Sequence, residues 1–434
     1  MEEQIIQYSF YGVFAVLLTG FAPRKVSRYL STLLSIGTLL VVSIISIEAK
    51  GIAGIVGLVS STIGIASILS AHELVEENIS LHDALIVSIA SLLPILLLSD
   101  DLVRMFIAWE TISISIVLLT AFHRDEESSE AALKYLTLCG VASLIALLGI
   151  SLVYFETGSL VAGKVAEASL LAKILILIGF GAEAALFPLH FWLPDAHMAA
   201  PAPGSAVLSG IAIETACLLV YRLLGRDSTI AGIVIPLAVV GAFVGNFSAY
   251  RQVDMKRLLA YSSIANVSYI MLGLFSMNKL AQSFAVLHVA AHGFLKAGLF
   301  ILSGLLLAES GTRRLDLLQG SLSSRPLLKT IFILAALGLT GAPPTLTFWS
   351  ELYLIVGLSQ FSLILAILLA LAIITSFGYY FALIYNLSIK STPQTQTSIT
   401  SKRKFPLSKL SIILLVLSSV ALFFFYQNLS SFLG

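Results

Sequence analysis

The chain has 434 residues, 58% hydrophobic and only 11% charged, whereas soluble domains carry about 25% charged residues. Its formal net charge of +1 supplies no electrostatic pull on nucleic acid. The two cysteines, Cys139 and Cys217, lie in apolar stretches with no metal-ligand spacing and no disulfide framework.

This composition predicts an all-α integral membrane protein. Apolar runs of roughly 20 residues cross a bilayer, and they predict about 14 transmembrane helices. The runs are 4–22, 29–48, 52–71, 82–99, 102–121, 131–154, 169–190, 204–224, 229–249, 260–277, 282–308, 326–358, 362–388 and 408–428. The start, MEEQIIQYSF, is acidic and lacks a small-residue cleavage site, so it reads as the first span rather than a signal peptide. Asp100-Asp101 separates the fourth run from the fifth. Segment 326–358 is too long for one straight helix, and Gly341-Ala342-Pro343-Pro344 interrupts it; a broken helix is expected there. The polar stretch 391–407 reads as a flexible cytoplasmic linker before a last packing helix.

An even number of spans sorts the basic residues. Arg24, Lys25, Arg28, Arg124, Arg251, Lys256, Arg257 and every Lys or Arg from Arg313 to Lys409 fall on one face. Lys50, Arg104, Lys164, Lys173, Arg222, Arg226 and Lys279 fall on the other. The positive-inside rule puts the first set in the cytoplasm of a cell membrane and both termini outside.

Ionisable residues stand inside these apolar runs: Glu110, Glu183, Glu214, the series His288, His292 and Lys296, and Glu351. A charge at the bilayer centre costs at least about 2.5–3.5 kcal/mol, and such residues mark ion and proton pathways. His288, His292 and Lys296 are each one turn apart and share a helix face, the spacing of a proton wire. Lys134, near the start of its span, joins the candidate ion-translocation residues, although it is also placed to snorkel. His288 could instead bond a carbonyl of a neighbouring helix, and Glu351 could cap the broken backbone. His190, beside Pro188 and Trp192 near a helix end, reads as interfacial or as satisfying a break in the helix. Two histidines at i, i+4 without a third ligand do not make a metal site. No phosphate loop, Cys-x-x-Cys pair or nucleophile elbow is present, so no catalytic site of its own and no cofactor is expected. Energy for transport must come from an ion gradient or from partner subunits.

Several ordered stretches carry a resemblance. They are WETISISIVLL, EAALKYLTLCGVASLIALLGISLVY, FPLHFWLPDAHMAAPAPGSAVLSG, DMKRLLAYSSIANVSYIMLG, HVAAHGFLKAGLFILSG and TGAPPTLTFWSELYLI, over roughly residues 80–390. Together they resemble the antiporter-like subunits shared by respiratory complex I, membrane-bound hydrogenases and Mrp-type cation/proton antiporters. The resemblance implies two inverted five-helix repeats, each with a broken helix. On that frame, 1–80 holds N-terminal transmembrane helices, 81–225 the first repeat and 226–390 the second. Residues 391–434 hold the linker and the C-terminal transmembrane helix.

The resemblance also exposes a departure. Members usually carry a lysine seven residues before the histidine of the PxHxWLP stretch, and Glu183 stands there. Another lysine is usual in span eight, where Glu214 stands. A Glu–Lys pair between spans five and seven thus becomes Glu110 with Glu183, while Lys296 and Glu351 keep the family's charge types. Two acids around a cavity favour a cation such as sodium over a proton-only relay. The expected function is a proton- or cation-translocating subunit of a respiratory, hydrogenase or Mrp-type complex. Its expected partners are other membrane subunits, the lipid bilayer and protons or sodium ions. The alternatives are a non-conducting structural subunit and a self-sufficient secondary transporter.

Overall fold

The computed structural model describes residues 1–49, 51–388 and 404–427. The helices run α1 (Glu2–Leu18), α2 (Arg24–Ala49), α3 (Gly51–Leu74), α4 (Ile79–Leu92), α5 (Ile95–Leu98), α6 (Leu102–Thr120), α7 (Glu126–Thr157), α8 (Leu170–Glu183) and α9 (Trp192–Ala199). They continue as α10 (Ala202–Val207), α11 (Ile213–Leu224), α12 (Ser228–Tyr250), α13 (Met255–Phe275), α14 (Lys279–Ser310), α15 (Pro326–Gly338), α16 (Leu346–Phe361), α17 (Leu363–Ser388) and α18 (Pro406–Phe424). Twelve helical stretches among the described residues are long and apolar enough to cross a membrane. The linker expected over 391–407 lies outside the described residues up to position 403.

Short polar residues start the helices. The carboxylates of Asp101, Asp125, Asp227 and Asp254 accept from backbone N–H groups in the first turns of α6, α7, α12 and α13. Asn278 does the same for α14. Each such cap satisfies donors that the helix itself leaves open and contributes about 1 kcal/mol. The two 32-residue helices, α7 and α14, both end on a glycine in the left-handed region, Gly158 (φ 67°) and Gly311 (φ 72°), where a Cβ is unfavourable.

The ends of α7 and α14 are held alike. Asp101 bridges to Val161 beyond the end of α7, and Asp254 bridges to Arg314 beyond the end of α14. The same number of residues separates Asp101 from Asp254, Gly158 from Gly311, and Val161 from Arg314.

Two of the expected spans are in two pieces. Segment 326–358 breaks as expected: α15 stops at Gly338 and α16 resumes at Leu346. Across the break the Gly338 carbonyl accepts from Gly341 N at 2.9 Å and from Thr347 Oγ1 at 2.6 Å. Segment 169–190, expected as one run, differs. α8 ends at Glu183, Ala185 takes φ 53°, and helix resumes only at Trp192. Pro188 has no N–H to continue the ladder, and the Ala182 carbonyl accepts from Ala185 N at 3.0 Å and from Trp192 Nε1 at 2.9 Å. A third irregularity, a π-helical turn over Leu208–Ala212, joins α10 to α11.

α14 is the axis of the molecule. Its apolar window is wholly buried, and α3, α10, α13, α16 and α18 pack around it. α18 returns across the fold to α3, where Glu73 accepts from Leu407 N (3.0 Å), Ser408 N (2.8 Å) and Ser408 Oγ (2.8 Å). Outward faces of α1, α2, α7 and α17 expose large apolar side chains, among them Phe10, Leu33, Phe155 and Ile364. Such a surface suits lipid and not water.

Candidate ion-translocation site

The α14 face carrying His288, His292 and Lys296 is fully buried, and helices distant in sequence supply its partners. Glu214 sits in the first turn of α11, directly after the π turn. Its Oε1 pairs with His292 Nδ1, while its Oε2 and His292 Nε2 have no hydrogen-bond partner. The His288 ring stacks on His292 with centroids 6.0 Å apart. His288 Nδ1 meets Ser350 Oγ at 2.8 Å and its Nε2 meets Asn266 Oδ1 at 3.0 Å. One turn beyond His292, Lys296 Nζ donates to the Leu259 carbonyl (2.9 Å), to Ser262 Oγ and to Tyr380 OH (3.1 Å).

Close backbone approach makes this possible. Gly210, in the π turn, faces Gly293 on α14: a Cβ on Gly210 would stand 3.0 Å from the Gly293 carbonyl oxygen and 3.2 Å from Ala297 Cβ. The widened turn and the paired glycines together let Glu214 reach His292. π turns recur at functional sites.

A second buried group surrounds Glu183, the last residue of α8. Tyr135 OH donates to Glu183 Oε2 at 2.8 Å and Ser113 Oγ to Oε1 at 3.3 Å, and Ser113 and Tyr135 are themselves 3.0 Å apart. Glu110, half-buried on α6, accepts from Ser143 on α7. The two acids do not bond each other directly. Among the described residues no hydrogen bond joins the Glu183 group to Glu214.

Glu351 is buried on α16 with its carboxylate against Gly341 in the break between α15 and α16; a Cβ at Gly341 would collide with it. Lys134 stands apart from both groups. Its side chain is half exposed and ion-paired with Glu130 (2.8 Å) and Asp195 (3.1 Å). This pair borders a cleft of about 640 Å³ also lined by Phe191, Trp192, Arg257 and Tyr261. His190 is buried and stacks on the rings of Phe187 and Phe191.

The match to the family described as "NADH:quinone oxidoreductase/Mrp antiporter, TM" runs over residues 99–377. The chain belongs to this family. It is 36% identical over 314 residues to NADH-quinone oxidoreductase subunit N of Desulforudis audaxviator, covering 68% of this chain and 62% of that subunit. The chain thus spans less than two thirds of that relative's length. It is 29% identical over 421 residues to the hydrogenase-4 component F homolog of Methylacidiphilum infernorum, covering 86% of this chain and 87% of that protein. In fold it matches a chain of the Mrp complex from Dietzia sp. DQ12-45-1b at a TM-score of 0.87, covering 100% of this chain and 96% of that chain at 18% identity.

Within this family chain, the structure adds residues that the sequence left out. Lys256 is buried and donates to the carbonyls of His197 (3.0 Å) and Ala200 (2.6 Å) at the end of α9. His197 is buried with both ring nitrogens unpartnered, stacked on Phe300. On α4, Asp83 accepts from Ser31 at 2.6 Å and neighbours His82 at 3.2 Å, all buried. Lys256 and His197 stand in the quoted stretches DMKRLL and PDAHMAAP, so a signal existed. The span pattern sorts Lys256 with the basic residues of the cytoplasmic face and gives His197 no role.

Proposed function

We propose that the chain is a proton- or cation-translocating subunit of a multi-subunit membrane complex of respiratory, hydrogenase or Mrp type. The observation that carries this reading is the buried series on α14. Glu214 and His292 share a hydrogen bond, His288 stacks beside them, and Lys296 follows one turn on, all without solvent exposure. Buried acids and bases in direct contact can hand a proton on by changing partners, and intramembrane ionisable residues are retained for such work.

Ions pass along Glu110, Glu183, Glu214, His288, His292, Lys296 and Glu351 in this reading. Lys134, at the Asp195-lined cleft, guards a mouth of the pathway. Counting each broken pair, α8 with α9 and α15 with α16, as one crossing gives fourteen crossings, with both termini on the non-cytoplasmic face. The equally spaced bridges and end glycines of α7 and α14 support two inverted repeats. The partners are other membrane subunits, as for the relatives named above.

Extraction from the native membrane in mild detergent tests the assembly: the chain comes out with other membrane subunits, and a chain that comes out alone contradicts the reading. Glu183→Gln in the assembled complex abolishes ion uptake by sealed membrane vesicles. Full uptake by that variant removes Glu183 from the pathway. Uptake that follows a sodium gradient at fixed pH identifies sodium as the cargo, and uptake indifferent to sodium identifies the proton.

A further inference from the structure

The two 32-residue helices share one register. Both end on a left-handed glycine, Gly158 and Gly311, and the same hydroxyl turn surrounds each: Ser159 N donates to Thr157 Oγ1, and Thr312 N to Ser310 Oγ. Counting back equally from the two glycines sets Ser143 of α7 against Lys296 of α14, Cys139 against His292, and Tyr135 against His288. The second set is the proton series proposed above. The first set is also spaced one turn apart on one face, and it is also buried. Its ends meet the two acids of the first half: Ser143 donates to Glu110, and Tyr135 donates to Glu183 at 2.8 Å. The Cys139 thiol, between them, borders the Glu183 carboxylate.

We propose that Tyr135, Cys139 and Ser143 form a second proton relay, on α7, that links Glu110 to Glu183 as the counterpart of the His288, His292 and Lys296 series. The proposal rests on the translocation reading, and it fixes the species passing between these two acids as a proton. In one passage the Glu110 carboxyl gives its proton to Ser143 Oγ, whose own proton goes to Cys139 Sγ. The thiol proton goes to the Tyr135 oxygen, and the phenol proton goes to the Glu183 carboxylate. One proton leaves Glu110 and one arrives at Glu183; each relay group ends as it began. Ser143 donates to Glu110 when that acid is ionised and turns to accept from it when it is protonated.

The test compares proton uptake by sealed native-membrane vesicles holding the assembled complex, at matched recovery of the complex. Cys139→Val keeps an apolar side chain and removes the exchangeable proton, whereas Cys139→Ser keeps a proton and loses apolar bulk. A relay predicts that Val slows uptake roughly tenfold or more and that Ser stays near the wild-type rate. A packing role predicts the reverse order. Tyr135→Phe and Ser143→Ala slow uptake in the same way as Cys139→Val. Lys296→Ala runs beside them as the measure of the parent reading. Wild-type rates in Cys139→Val and Tyr135→Phe with a dead Lys296→Ala overturn the α7 relay and leave translocation standing. A wild-type rate in Lys296→Ala overturns both. If Tyr135→Phe fails to assemble, the order of the two Cys139 variants decides.

Discussion

Glu214 shows how much rests on one side chain. One of its oxygens is committed to His292 and the other has no protein hydrogen-bond partner, and both residues are fully buried. Removing one member of a buried pair costs about 3–5 kcal/mol, because the other stays desolvated. Glu214→Ala therefore lowers recovery of folded protein as well as transport. Glu214→Gln keeps a hydrogen-bonding group of the same size, so it assembles at the wild-type level and fails only in ion uptake. Asp227 gives a residue-scale test outside the membrane. The Lys173 ammonium beside it, at 2.8 Å, with the N–H groups of Ile230 and Thr229, holds its carboxyl below the usual aspartate range. The carboxylate form is thus favoured in the fold, so its contribution is complete above the ordinary aspartate range and fades as pH falls through the lowered value. Asp227→Ala costs about 1 kcal/mol at neutral pH, and the gap between the two melting temperatures narrows in acid. At this scale the sequence exposed the charged members, because a Glu, His or Lys in an apolar run stands out. The hydroxyl and amide partners, Tyr135, Ser262, Asn266, Ser350 and Tyr380, were not legible. Ser and Tyr are common on packed membrane helices, and the contact that gives each one meaning comes from another helix.

Breaks and close approaches set the site at the scale of elements. Gly293 and Gly210 bring α14 against the π turn, and a Cβ at Gly293 would run into the Gly210 carbonyl. Gly293→Ala forces the two apart, costs about 1–3 kcal/mol as overpacking, and separates Glu214 from His292. A thermal melt of the purified complex and vesicle uptake both fall. Ala185 works in the other direction. It holds φ 53° without being glycine, a conformation that costs an ordinary residue about 1–2 kcal/mol. Ala185→Gly removes that strain at some cost in chain entropy, so the variant melts no lower than the wild type. The break after Gly338 was readable because Pro343 and Pro344 follow a glycine at the middle of an overlong run. The break after Glu183 was not readable from the pattern alone, since a single Pro188 near the end of a run of ordinary length looks like a helix end. The π turn over Leu208–Ala212 left no mark in the sequence, because one extra residue in a turn does not disturb an apolar run.

For the whole molecule, α14 is the buried axis and α18 the strap that closes over it. The strap is tied at one end by Glu73, whose carboxylate caps Leu407 and Ser408, and at the other by Trp349 Nε1 donating to the Phe423 carbonyl at 3.1 Å. Glu73→Ala opens the first tie and lowers the melting temperature by the equivalent of about 1 kcal/mol, the worth of one cap. The lipid-facing apolar belt and the buried polar interior were both plain in composition, since 11% charge cannot cover a soluble surface. Which polar groups would meet inside was not, because that depends on packing between helices far apart in the chain. The central claim, that the buried α14 series moves ions, is tested most directly by vesicle uptake with Lys296→Ala in the assembled complex. Recovery of the complex at the wild-type level with uptake abolished is the predicted result. Recovery at that level with uptake unchanged would contradict the account.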